Sequence, residues 1–168
     1  SVTGYSGGGK KMIAEYENEG RDKALDSPRQ YSLALSHKHI PEMVKECALA
    51  HAPIFNPIVA DFYCGMCVTV PLYKSLLLKK YGPDDIREFF AEYYASHNFL
   101  KVAKKEENPV YLAANELAGT NNLKIYVSGN DDMILLCSVF DNLGKGASGA
   151  AVQNMNIMLG LDETFSLV

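Results

Sequence analysis

Positive charge is in short supply in this chain. Sixteen lysines and arginines stand against twenty aspartates and glutamates, a formal net charge of −4 over 168 residues. A protein without surplus cations cannot neutralise a run of phosphates, so a nucleic-acid partner is excluded. Long apolar runs are absent too: none approaches the roughly 20 residues that span a bilayer, and no membrane role is expected. Ser1-Val2-Thr3-Gly4 has neither the basic nor the apolar region of a secretory signal. Four cysteines in apolar surroundings are too few for a disulfide framework, so a reduced, cytoplasmic setting is expected. Repeats and low-complexity stretches are lacking. What remains is 48% hydrophobic and 21% charged, the composition of a globular chain with one domain's worth of residues.

Local patterns place the elements. Tyr31 to His37 alternates as a strand does, and Pro41-Glu42 then opens a helix running to about His51. Ile54 to Val59 and Met66 to Tyr73 read as strands, the second rich in β-branched residues. Pro83-Asp84-Asp85 starts a long helix with Ile86, Phe89, Phe90, Tyr93 and Tyr94 on an apolar face. Leu123 to Ser128 and Met133 to Phe140 flank Gly129-Asn130-Asp131-Asp132, the pattern of a β-hairpin. The second arm is apolar on both faces, with Ile134 and Leu136 on one and Met133, Leu135 and Val139 on the other. Both faces therefore need cover: helices on one, a second subunit or domain on the other. Lys145 to Leu159 forms a last helix, its stripe built from Ala147, Ala151, Val152, Met155 and Leu159.

Four clusters could carry chemistry. Gly4 to Lys10 fits the spacing G-x4-G-K, but Lys11 stands where a P-loop needs Ser or Thr, and no strand precedes Gly4. Its free N–H groups and lysines suit a phosphate or carboxylate, and a frayed terminus is the plainer reading. His37-Lys38-His39-Ile40-Pro41-Glu42 places two histidines beside a carboxylate at a helix start, the residue types of acid–base chemistry. The same trio could hold a metal, but no third ligand at standard spacing is evident, so no metal is assigned. Cys64-Gly65-Met66-Cys67 lacks the second pair of a zinc ribbon, and Cys47 and Cys137 sit in apolar elements, so all four thiols read as structural. Asp141 to Ala151 reads as a capped helix start with small residues for close approach.

The glycine-rich start, the His-x-His-x-Pro-Glu box and the block Asp141-Asn142-Leu143-Gly144-Lys145-Gly146-Ala147-Ser148-Gly149-Ala150-Ala151-Val152-Gln153-Asn154-Met155-Asn156 occur in one order and spacing. Together they resemble the N-acetyl-gamma-glutamyl-phosphate reductases of the semialdehyde dehydrogenase group. The resemblance implies an α+β fold, a mixed and mostly antiparallel sheet with helices on one face, similar to the C-terminal domain of glyceraldehyde-3-phosphate dehydrogenase. It implies that residues 1–168 form the dimerisation and substrate domain, homo-oligomeric through the sheet face. The helix at about 145–159 would pack on a nucleotide-binding domain. The implied reaction is NADP-dependent: a cysteine thiolate attacks the acyl phosphate, phosphate leaves, and hydride reduces the thioester. Carried over, His39 is the acid–base residue, and His37 and Glu42 position it or the substrate. Lys10 holds an anion, Ser6 and Gly7 lie near cofactor and phosphate, and Asn142 contacts the cofactor.

The family's Asn-Pro-Gly-Cys nucleophile motif and its nucleotide-binding domain have no counterpart among these residues. By itself the chain is therefore expected neither to bind NADP tightly nor to turn over. Many relatives carry Arg-Gly where this chain has Cys64-Gly65, and a histidine at the place of Ile58. The reductase of carrier-linked lysine synthesis and a non-catalytic dimerisation module are the alternative readings.

Overall fold

The computed structural model describes residues 1–167; Val168, the last residue of the expected domain, lies outside the described residues. Seven strands form one sheet: β1 (Val2–Gly4), β2 (Arg29–Gln30), β3 (Ile58–Ala60), β4 (Met66–Tyr73), β5 (Leu100–Val102), β6 (Leu123–Gly129) and β7 (Met133–Phe140). Their spatial order is β2-β3-β1-β4-β7-β6-β5. Only β1 with β3 and β5 with β6 run parallel; the other four pairings are antiparallel. The mixed, mostly antiparallel α+β fold is therefore present. Four α-helices accompany the sheet: α1 (Gly9–Tyr16), α2 (Ile40–Glu46), α3 (Pro83–Tyr93) and α4 (Gly149–Met158).

The long antiparallel strands carry the register. β4 pairs with β7 along its whole length, Met66 opposite Phe140 through Tyr73 opposite Met133. Residues opposite one another share a face, so Val127, Leu136 and Val70 lie on one side and Tyr126, Cys137 and Thr69 on the other. On the first side Val127 and Ile134 are sealed from water, and α3 begins there, with Pro83 against Gly129. Burial of such side chains stabilises by about 1.5–3 kcal/mol each. On the second side Tyr126, Cys137 and Val139 pack with Ala103, Leu112 and Leu117 from the segment after β5. The Tyr126 hydroxyl donates to Glu116 at 2.6 Å, and Lys124 lies 3.4 Å from Glu107, so the segment is tethered at two points. The second face of β7 is thus covered by the chain itself near Val139, and only its hairpin end, at Met133 and Leu135, stays exposed.

Several expectations are corrected. Tyr31 to His37 is not a strand: Ser32 and Leu35 adopt left-handed conformations (φ 55° and 53°), and the Leu35 N–H donates to the Ser32 carbonyl in a turn. Alternation alone cannot make a strand where no neighbouring strand takes up the ladder. α2 ends at Glu46, short of His51, because Ala48 turns left-handed (φ 49°). Cys47, just past it, is exposed. The strand expected from Ile54 begins only at Ile58, after Pro57, whose nitrogen has no proton for a ladder.

α3 does not present one apolar face. Ile86, Phe90 and Tyr94 turn inward at helical spacing, whereas Phe89 and Tyr93 are exposed and stack on each other at 6.0 Å. The last helix opens with a π-helical turn, Gly144–Ser148, and of its predicted stripe only Val152 is half-buried, while Ala147, Ala151, Met155 and Leu159 are exposed. Gly149 and Asn156 are its buried residues, the Asn156 amide donating to the carbonyls of Glu163 and Phe165 as the chain folds back.

Candidate functional site

β1 leads into a 3₁₀ turn, Tyr5–Gly8, and that turn is sewn to the loop before β4. Gly4, Tyr5 and Ser6 donate their N–H groups to the carbonyls of Gly65, Phe62 and Tyr63. A β-carbon on Gly4 would stand 2.5 Å from the Tyr63 carbonyl oxygen, so only glycine allows this approach. Asn142, just beyond β7, closes the same corner. Its side-chain oxygen accepts from the Gly65 N–H at 2.7 Å and its amide donates to Ser6 Oγ at 3.0 Å.

A cavity of about 320 Å³ opens beside this corner, on the sheet face that carries Thr3, Val59, Met66 and Phe140. Its rim is the segment ahead of α2. His37 and His39 both reach it, ring centroids 5.0 Å apart, brought together by a turn instead of a strand. The His39 N–H donates to His37 Nδ1 at 3.2 Å, which assigns the His37 proton to Nε2. His39 Nδ1 lies 2.6 Å from Glu42 Oε2, across the first turn of α2. With Nδ1–H committed to Glu42, the Nε2 atom of His39 is the nitrogen that can take or give a proton. Burial lowers the proton affinity of His37, and His39 and Lys38 add to that, against a weaker pull from Glu42.

The other predicted residues divide. Gly7 and Asn142 line the cavity. Ser6 is buried and bonded to Asn142, so its hydroxyl supports the wall instead of facing the cavity. Lys10 is exposed in the first turn of α1 and does not line the cavity. None of the four cysteines lines the cavity: Cys67 and Cys137 flank the Thr69 hydroxyl on the other sheet face, and Cys64 stands beside Asp141. Lys38, Phe55 and Met12 line it as well. Lys38 was visible between the two histidines; Phe55 and Met12 gave no sequence signal because folding alone brings them there. A more open depression of about 810 Å³, at the far end of β4 and β7, holds no histidine or cysteine. Among the described residues no group of three or more His, Cys, Asp or Glu is placed to hold a metal ion. No helix among them is long and apolar enough to cross a membrane.

The fold has a counterpart in an aspartate semialdehyde dehydrogenase II of Vibrio cholerae, solved with ASA. The TM-score is 0.59 at 17% identity, over 94% of this chain and 53% of that one. At this identity the likeness speaks for the fold. Residues 1–142 match the family model for the semialdehyde dehydrogenase dimerisation domain, and the chain belongs to that family. Among curated relatives, an N-acetyl-gamma-glutamyl-phosphate reductase of Sinorhizobium fredii (strain NBRC 101917 / NGR234) is 43% identical over 95% of this chain and 53% of its own length. A second, N-acetyl-gamma-glutamyl-phosphate reductase 2 of Nostoc sp. (strain PCC 7120), is 41% identical over 99% of this chain and 55% of its own. The chain spans about half the length of the curated relatives it matches.

Proposed function

We propose that this chain is the acid–base and substrate-binding part of an NADP-dependent reductase. That enzyme converts N-acetyl-γ-glutamyl phosphate to N-acetylglutamate 5-semialdehyde and phosphate, in the cytoplasm and as a homo-oligomer. The observation that carries this reading is His39, paired with Glu42, at the rim of a cavity. It joins the relatives' printed activity to residues able to perform it.

His39 Nε2 accepts the proton of an attacking thiol, and Glu42 holds the ring and offsets the imidazolium charge. The thiolate adds to the acyl carbon, the bond to phosphate breaks, and phosphate leaves with the electron pair. After reduction the tetrahedral oxyanion re-forms its C=O bond as the carbon–sulfur bond breaks, and His39 returns its proton to the departing sulfur. The thiol comes from outside the cavity wall described here, since no cysteine of this chain lines it. These 168 residues by themselves therefore neither bind NADP tightly nor turn over substrate.

The residues present fit one end of a dinucleotide. Gly7 offers backbone without a side chain, and the Asn142 amide nitrogen lies 3.6 Å from where a Gly7 β-carbon would be. Gly7 and Asn142 would hold that end, and the cofactor supplies hydride when bound.

The test is NADPH oxidation by this domain joined to a nucleotide-binding domain of the family, with the acyl phosphate as substrate. His39→Asn should lower kcat by about 10²- to 10⁴-fold. Undiminished turnover in that variant would remove His39 from the mechanism.

A further inference from the structure

In a chain with net charge −4, the cavity beside His39 is lined by no aspartate or glutamate. Its one lining residue with a standing charge is Lys38. Among the described residues Lys38 has no carboxylate partner. The nearby Glu42 is committed to His39 at 2.6 Å, and Lys45 takes Glu46. The lining is otherwise rich in apolar side chains, Met12, Val59 and Phe55 with the ring of Tyr31, and Phe55 and Tyr31 pack against His37. A site with one free cation, no acid and an apolar wall complements a ligand with one carboxylate and an uncharged acyl group. An ammonium group there would meet Lys38 and two imidazoles, and the one nearby carboxylate, Glu42, is already engaged by His39.

We propose that Lys38 binds the α-carboxylate of the substrate and, with the missing acids, makes the cavity select N-acylated over free amino acids. The proposal rests on the cavity being the substrate site, as read above, and adds which group recognises which end.

The experiment is a titration of the ¹³C- and ¹⁵N-labelled chain, following the ring resonances of His37 and His39 by NMR. The probes are N-acetyl-L-glutamate, its α-amide, L-glutamate and inorganic phosphate. N-acetylglutamate should give saturable shifts at both rings. The α-amide and L-glutamate should each bind at least about tenfold more weakly, the equivalent of about 1.4 kcal/mol. Lys38→Met should weaken N-acetylglutamate to the level of the α-amide, and Lys38→Arg should keep it within about threefold. Lys38 is exposed and pairs with nothing, so both variants should retain the wild-type spectrum elsewhere.

Equal binding of N-acetylglutamate by wild type and Lys38→Met overturns the assignment while leaving the cavity as the substrate site. So does equal binding of acid and α-amide. A loss on Lys38→Met of phosphate binding alone moves the lysine to the phosphate end and overturns it as well. L-glutamate binding as tightly as its N-acetyl form overturns the selectivity. No saturable shift with any probe overturns the proposal, and the His39→Asn turnover test then decides separately whether the catalytic reading stands.

Discussion

Asn142 and Gly65, 77 positions apart in the chain, are joined by a 2.7 Å hydrogen bond from the Gly65 N–H to the Asn142 side-chain oxygen. The other end of the same amide holds Ser6, so one side chain ties the ends of β4 and β7 to the first turn of the protein. Removing it leaves a half-buried N–H and a buried hydroxyl without their partner. Asn142→Ala should lower unfolding free energy by about 1–3 kcal/mol, read as a shift in the urea midpoint. Ser6→Ala, which loses only one of the two bonds, should cost less.

Glu42→Gln keeps the size of the side chain that holds His39 and removes its charge. Turnover by the complete reductase should fall by about tenfold or more, because the imidazolium formed during the reaction loses its counter-charge. Urea stability should hardly change, since both groups are largely exposed. Full activity in this variant would reduce Glu42 to a surface residue.

His37 should titrate below the ordinary histidine midpoint of about 6.5, followed by its ring resonance. A lowered folded-state pKa means that the unfolded chain binds the proton more readily. The His37 contribution to stability is therefore fully present above the unfolded value and is lost as pH falls through the folded one. Protonation also takes the Nδ1 lone pair that accepts the His39 N–H. His37→Gln should flatten the acid side of the stability profile.

Asp141 is almost wholly buried, and burial works to raise its pKa. The N–H groups of Gly119, Gly144 and Leu143 outweigh that and hold it below the usual carboxylate range. Its contribution is present above the unfolded aspartate pKa and disappears as pH falls through the lower folded one. Asp141→Asn keeps acceptors for Leu143 and Gly144 but turns an amide toward the Gly119 N–H. A loss of about 2–3 kcal/mol at neutral pH is expected from urea unfolding, with less acid sensitivity.

Long patterned segments were legible in the sequence. β4 and the β6–β7 hairpin occupy their predicted places because many consecutive side chains report the same period. α3 begins at Pro83 as predicted because its start signal is local. β1 escaped notice: three residues next to a glycine-rich turn become a strand only because residues 58–60 and 66–67 come to lie on either side. The alternation from Tyr31 misled because register means nothing without a partner strand. In the site, His37, His39 and Glu42 are near one another in sequence and could be read together. Lys10 is close to the glycines in sequence but is carried away by α1, and Phe55 arrives at the cavity only through the tertiary fold.

The sheet order divides the strands into two panels, β2-β3-β1 and β4-β7-β6-β5, joined where β1 meets β4 over Val2–Cys67 and Thr3–Met66. The eight-residue ladder of β4 with β7 dwarfs this two-residue seam. Thr3 and Met66 at the seam, with Phe140 opposite Met66 on β7, form the floor of the cavity. The cavity can take shape only once residues from both ends of the chain have met, late in folding. It also inherits the stability of a joint only two residue pairs wide. Amide exchange at Thr3 and Met66 should accordingly run ahead of that at Leu136 and Val127, and a ligand seated across the seam would slow it by bracing one panel against the other.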